Sequence, residues 1–290
     1  MSVNPLQDLS TGLAVGLVYG MVGVGFVVIH RITGMINFAQ GDLAVAGSFG
    51  AVVAAEAVPP EVSVLAGGAV GAVLGLLLYW LAVHPLRNHG LLVQTIVTLG
   101  AALVIRSAIQ LMFGTKPYAL EPFTAGEPLH FAGLSIQRQT VWLAAVALVL
   151  YIALTYFFER TMTGRAMSAC AVNRYAAGVV GINATRMAAM AFAISGAVVG
   201  LVAATQAPVA FVTSGAGLAL ALKGFIAAVI GGFQRVGLAL VGGLLVGFVE
   251  AFTARNISTS YQDVIVLSAL LVLLIARPNG LARTKVSERV

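Results

Sequence analysis

Long stretches of this sequence contain no Asp, Glu, Lys, Arg or His: Leu9 to Ile29, Val62 to Val83, Leu91 to Ile105, Gln139 to Phe158 and Met187 to Leu222. Each matches, or reaches with a flank, the roughly 20 apolar residues a helix needs to cross a hydrocarbon layer. Backbone groups in lipid must bond internally, which leaves only helices or closed barrels. The runs lack the alternation of barrel strands, so the expected fold is all-α, a polytopic membrane helical bundle. Composition agrees: 60% of the residues are hydrophobic, 9% are charged and the mean hydropathy is +1.00. A soluble domain spends about a quarter of its residues on charge, so this balance excludes most soluble enzymes and nucleic-acid binders.

Three regions are shorter or interrupted: Leu43 to Ala55, the pair Gly224 to Gln234 and Val236 to Val249, and Val264 to Ala276. Irregular backbone is tolerated at membrane depth only where protein or a cavity surrounds it, and transporters place discontinuous helices there. Val264 to Ala276 reads as an ordinary helix lengthened by Ser258 to Gln262. The count is then nine membrane segments if every one spans, or seven if 218–252 is a re-entrant pair.

The net charge of +6 reports orientation before it reports any anionic partner, because basic loops stay on the cytoplasmic side. Arg160, Arg165, Arg174 and Arg186 face only Glu159 in the loop 159–186, and Arg277, Arg283, Lys285 and Arg289 face only Glu288 in the tail. Both are expected to be cytoplasmic. The acidic stretch Glu56 to Glu61 and the charge-balanced loop 114–138 are expected outside. Counting back from a cytoplasmic C-terminus gives an outside N-terminus and an odd number of passes. Met1 to Asp8 carries no Lys or Arg, so the first apolar run is expected to remain as an anchor rather than be cleaved.

Gly12, Gly16 and Gly20 repeat every four residues, as do Gly71 with Gly75, Gly196 with Gly200 and Gly243 with Gly247. Each set lies on one helix face, where small residues let helix backbones approach in lipid. The triple at 12, 16 and 20 is read as a packing face. The single Cys170 permits no internal disulfide, and His30, His84, His89 and His130 lack metal-ligand spacing, so no metal site is expected.

Catalytic chemistry has no candidate. Neither Lys116 nor Lys223 ends a nucleotide-binding glycine loop, so any ATP must bind another chain. The polar patch Asn37, Gln40 and Asp42 sits between apolar runs, where an unsatisfied polar group costs several kcal/mol. These residues either line the inner half of a substrate path or form a helix-breaking structural network. Lys223 is expected to snorkel to an interface, and Glu250 is either interfacial or functional. Within the basic loop, Ala166, Cys170 and Tyr175 to Val180 outline a short amphipathic segment whose apolar side is small, which favours a protein partner over lipid.

Three motifs in order carry a resemblance. Gly34 to Gly41 (GMINFAQG), Gly164 to Asn183 (GRAMSACAVNRYAAGVVGIN) and Lys223 to Glu250 resemble the branched-chain amino acid ABC importer permeases of LivH type. The resemblance implies a single transmembrane permease domain over residues 1–290, in a bacterial plasma (inner) membrane. Its implied partners are a second, LivM-type permease subunit, two ATPase subunits that bind ATP and Mg, and an extracytoplasmic substrate-binding protein. Loop 159–186 would hold the coupling helix, with Arg165, Arg174, Ala176, Ala177 and Gly181 meeting the ATPase. Gln40 departs from the family's usual His. Relatives carry branched-chain amino acids, urea, short amides or aromatic carboxylates. The expected mechanism is alternating access without chemistry on the solute. A rival reading is a secondary transporter or channel acting alone, with Asp42 and Glu250 as ion-coupling carboxylates.

Overall fold

The computed structural model describes residues 5–131, 134–233 and 235–276; the basic tail from Arg277 onward lies outside them. The chain forms α1 (Pro5–Thr33), α2 (Gln40–Ala54), α3 (Pro60–Leu78), α4 (Leu91–Phe113), a hairpin of β1 (Leu129–Phe131) and β2 (Leu134–Ile136), and α5 (Arg138–Arg160). It continues through α6 (Met162–Val172), α7 (Arg174–Val179), α8 (Ala184–Gln206), α9 (Gly217–Ile230), α10 (Val236–Asn256) and α11 (Gln262–Ala276). Six helices among the described residues are long and apolar enough to cross a membrane: Ser10–Thr33, Pro60–Leu86, Leu91–Phe113, Arg138–Arg160, Ala184–Gln206 and Val236–Asn256. The protein is an all-α polytopic bundle.

Two departures from the sequence expectation have local causes. Residues 218–252 are not a pair of short segments, because α10 runs unbroken through Glu250 and Arg255 to Asn256 and only α9 is short. Gly232 (φ 69°) and Phe233 (φ 56°) make the tight left-handed turn that separates them. After α3, the helix widens into a π turn at Tyr79–Val83 and closes as a 3-10 turn at His84–Leu86. Pro85 lacks an N–H and would clash with an α-helical carbonyl, so the wider turn relieves it.

Helix α1 is the axis of the bundle, with 83% of its apolar window buried, and it packs against α8, α9 and α10. Its glycine face meets α10 antiparallel. A Cβ added at Gly12 would come 3.0 Å from Phe248 Cα, at Gly16 2.8 Å from Leu244 Cα, and at Gly20 2.9 Å from the Leu240 carbonyl. From the other side, Gly243 and Gly247 press on the backbone of Gly20 and Gly16. A second antiparallel crossing joins α3 to α8 through Gly71 against Gly196 and Gly75 against Phe192, with Gly47 of α2 wedged against Gly200. Lipid tails are as apolar as side chains, so dispersion between closely approaching backbones replaces the hydrophobic drive that holds soluble helices together.

These crossings give the bundle two distinct ends. At one, Tyr118 pairs with Val212 and Ser214 donates to the Gly114 carbonyl, so the loop 114–137 covers the segment 207–216. At the other sit the end of α1, α6, α7 and the turn at Gly231 to Phe233. Gly16→Leu is expected to force α1 and α10 apart and lower the thermal midpoint, by more than the about 1–3 kcal/mol usual for overpacking, since backbone cannot move aside as side chains do. Gly100→Leu, at a glycine with no atom within 4 Å of an added Cβ, is expected to leave the midpoint unchanged.

Candidate translocation site and docking elbow

Helix α1 ends at Gly34, whose φ of 77° turns the chain back into the bundle. Residues 35–39 are not helical, so their N–H groups need partners that are not backbone. Side chains supply them. Met35 N donates to Thr33 Oγ1 at 3.3 Å, Ile36 N to Thr95 Oγ1 at 3.4 Å, Phe38 N to Thr98 Oγ1 at 3.0 Å and Ala39 N to Asn37 Oδ1 at 3.1 Å. Thr95 and Thr98 are three residues apart on α4, one face of that helix.

This segment carries Gln40 to the depth of Gly25, roughly 12 Å back along α1 from its end at ~1.5 Å per residue. Gln40 Nε2 donates to Ser195 Oγ at 2.7 Å, Ser195 Oγ donates to the Gly25 carbonyl at 2.9 Å, and Asn37 Nδ2 donates to Gln40 Oε1 at 3.3 Å. Asn37 and Gln40 are fully buried, so they join α1, α2 and α8 in a hydrogen-bond chain. Both side-chain amides are thus engaged by protein partners.

Asp42 has a separate arrangement. Helices α2 and α9 both begin inside the bundle, with Gly41 packed on the Gly217 carbonyl and the Asp42 carboxylate filling the place a side chain on Gly217 would take. The positive ends of two helix dipoles thus converge on one carboxylate. Arg106 of α4 completes its neutralisation in a bidentate pair, Nε to Oδ1 at 3.0 Å and Nη2 to Oδ2 at 3.1 Å. Asp42 is 1% exposed. Sequence reasoning passed over Arg106 because it merely bounds the run ending at Ile105. Its signal was available: two lone opposite charges amid apolar segments seek each other.

Lys223 is engaged in two ion pairs. Its side chain is 14% exposed, and Nζ lies 2.8 Å from Glu250 Oε1 and 3.0 Å from Asp263 Oδ1, tying α9 to α10 and α11. The Tyr19 ring lies 5.3 Å from the ammonium. Beside Lys223 is a cavity of about 210 Å³ between α1, α2, the end of α8 and α9. Val45, Ala203, Ala207 and Leu220 make its walls apolar, while Tyr19, Ser48, Gln206, Thr213 and Lys223 supply a few polar groups. That mixture suits a small amphipathic ligand.

At the opposite end, α6 and α7 form an elbow whose turns are capped by sequence-local side chains. Thr161 Oγ1 accepts from Gly164 N at 3.0 Å, Asn173 Oδ1 from Ala176 N at 3.0 Å and Asn183 Oδ1 from Arg186 N at 3.1 Å. Met167, Cys170 and Ala177 point inward. Burial pushes the Cys170 thiol up, against a smaller downward pull from Arg174. Arg165, Arg174, Ala176 and Gly181 are exposed, whereas Ala177 is 4% exposed. Exposed Val172, Tyr175, Val179 and Val180 join the arginines.

A polytopic bundle with broken helices around a small amphipathic cavity defines a membrane permease. Residues 9–275 match the family described as branched-chain amino acid transport system, permease component, and the chain belongs to that family. Relatives include the high-affinity branched-chain amino acid transport system permease proteins LivH of Salmonella typhimurium, 28% identical over 98% of this chain and 97% of its own, and BraD of Pseudomonas aeruginosa, 30% identical over 98% of each. A probable LivH of Methanocaldococcus jannaschii is 24% identical over 90% of this chain and 87% of its own. Among solved structures, PsaBC from Streptococcus pneumoniae in complex with Fab (TM-score 0.53, 12% identity, 94% of this chain and 91% of that one) shares the fold. So does an inward-facing putative metal-chelate type ABC transporter (TM-score 0.51, 15% identity, 94% and 87%). The chain is a multi-pass inner-membrane permease subunit of an ABC importer, a transport protein and not an enzyme.

Arg106→Gln leaves the Asp42 charge buried without its partner and is expected to destabilise the protein by about 3–5 kcal/mol. Combining it with Asp42→Asn removes the orphaned charge and is expected to restore part of that loss, measured as thermal midpoints of the single and double variants.

Proposed function

We propose that this permease passes branched-chain amino acids, or closely related small amphipathic solutes, by alternating access. An aliphatic side chain would lie against Val45 and Leu220, with its polar end toward Ser48, Tyr19 and Thr213. These walls favour an aliphatic solute over urea or a short amide. The names of the relatives, which match nearly the whole chain, support the same solute class. No bond in the solute changes.

In this reading the N-terminus is outside, the tail is cytoplasmic, and nine segments cross, α2 and α9 with irregular backbone completing their passes. A second, LivM-type permease completes the pore, and an extracytoplasmic binding protein delivers solute to the end formed by the loop 114–138 and the segment 207–216. Two ATPase subunits bind ATP and Mg and seat against α6 and α7. The observation that carries the reading is the elbow itself: Tyr175 (84% exposed) and Val172 (88% exposed) stand beside exposed Arg165 and Arg174. Apolar anchors within a charged rim are the usual make-up of a protein contact. Nucleotide-driven closure of the ATPases would move the elbow, and the glycine crossings would pass that motion on as a rocking of packed helices.

The test is reconstitution with the ATPases and binding protein that copurify. Reversing both charges, Arg165→Glu with Arg174→Glu, is expected to leave binding-protein capture intact while solute uptake per ATP hydrolysed falls about tenfold, equivalent to ~1.4 kcal/mol of lost docking. Unchanged coupling in the double reversal refutes the docking role, and uptake by the chain alone refutes the importer mechanism.

A further inference from the structure

A second cavity, of about 740 Å³, lies between α5 and α10 and is unrelated to the solute cavity. Tyr151, Thr155 and Phe158 form its α5 wall, one stripe at helical spacing, and Val236 to Leu238 with Val241 form its α10 wall. The faces flanking it are apolar and exposed: Leu148, Val149, Ile152 and Tyr156 on α5, and Val241, Leu245, Phe248 and Phe252 on α10. In a membrane chain such faces meet acyl chains, so the groove is open to the bilayer from the side.

Arg31 and Arg235 stand at the groove's elbow end. Arg31 lies two residues before the end of α1 and Arg235 immediately precedes α10, which puts both guanidinium groups at one membrane boundary. Arg31 stacks over the Phe158 ring at 5.8 Å, which holds it across the groove rather than out in water. Neither arginine has a carboxylate partner among the described residues. Glu159, exposed on the last turn of α5, also borders the groove and leaves its local balance at one net positive charge.

An apolar slot about two helical turns long that ends in two guanidinium groups without a carboxylate partner among the described residues has the chemistry of an acyl chain joined to a phosphate. We infer that the α5–α10 groove binds an anionic phospholipid of the elbow-side leaflet, one acyl chain between Tyr151 and Val241 and its phosphate between Arg31 and Arg235. Arginine recognises phosphate oxygens through paired N–H donors, and basic pockets between membrane helices collect lipid headgroups. Arginines that merely snorkel would attract anionic lipid without retaining any single molecule.

The full-length chain is purified in detergent with phosphatidylglycerol or with phosphatidylcholine of identical acyl chains, and retained lipid and thermal midpoint are measured. Phosphatidylglycerol is expected to be retained by native mass spectrometry and to raise the midpoint; phosphatidylcholine does neither. Arg31→Gln with Arg235→Gln is expected to abolish that preference while keeping the phosphatidylcholine midpoint of the unaltered protein. Val241→Phe, which keeps both charges and obstructs the slot, is expected to lose the retained lipid too. An undiminished preference in either variant overturns the inference, as does an equal midpoint shift from glycerol phosphate without acyl chains. If the double arginine variant fails to fold, Val241→Phe decides alone.

Discussion

The architecture depends on satisfying a broken backbone inside hydrocarbon. Between Gly34 and Gln40 the chain gives up helical hydrogen bonds at a depth where water cannot replace them, and an unpaired N–H there costs several kcal/mol. Thr95 and Thr98 of α4 accept two of those donors, and Thr33 and Asn37 accept two more. Because Thr95 and Thr98 lie on another helix, the repair also fixes where α4 sits. That placement brings Arg106 within reach of Asp42, so the irregular segment, the ion pair and the start of α2 form one unit.

Close backbone packing supplies the remaining cohesion. The α1–α10 and α3–α8 crossings are built largely from glycine against backbone, which leaves few side chains between the helices to absorb a shift. Such contacts transmit displacement as rigid rotation rather than local repacking. The short helices α2 and α9 start near one another at Gly41 and Gly217, inside the bundle and beside the 210 Å³ cavity. In the buried pairs Asp42–Arg106 and Lys223–Glu250 the desolvation of each charge offsets much of the attraction.

Several features were legible residue by residue. The uncharged runs foretold the long helices, and Asn173 and Asn183 are placed where helix starts need side-chain acceptors. The four-residue spacing of Gly12, Gly16 and Gly20 specified a face, but not that α10 would meet it. Charged residues were read worst. Arg106 looked like the edge of an apolar run and Lys223 like an interfacial anchor, yet both hold carboxylates distant in sequence. Ala177 looked like part of a contact surface and is turned inward. The elbow's Tyr175 lay within a segment read mainly for its alanines, so its exposure as a large apolar side chain emerged only with the fold.

Hydropathy, periodicity and capping act between residues close along the chain, so the sequence by itself determined that this is a lipid-embedded bundle of helices, where most helices run and which faces are small. Partnership between distant groups is different in kind. Gln40 with Ser195, Asp42 with Arg106, and Lys223 with Glu250 and Asp263 exist only after the helices have chosen neighbours. Many opposite charges and small faces are locally interchangeable in sequence. Tertiary structure selects among them because in a medium without water a polar group is stable only beside the particular partner that packing brings to it.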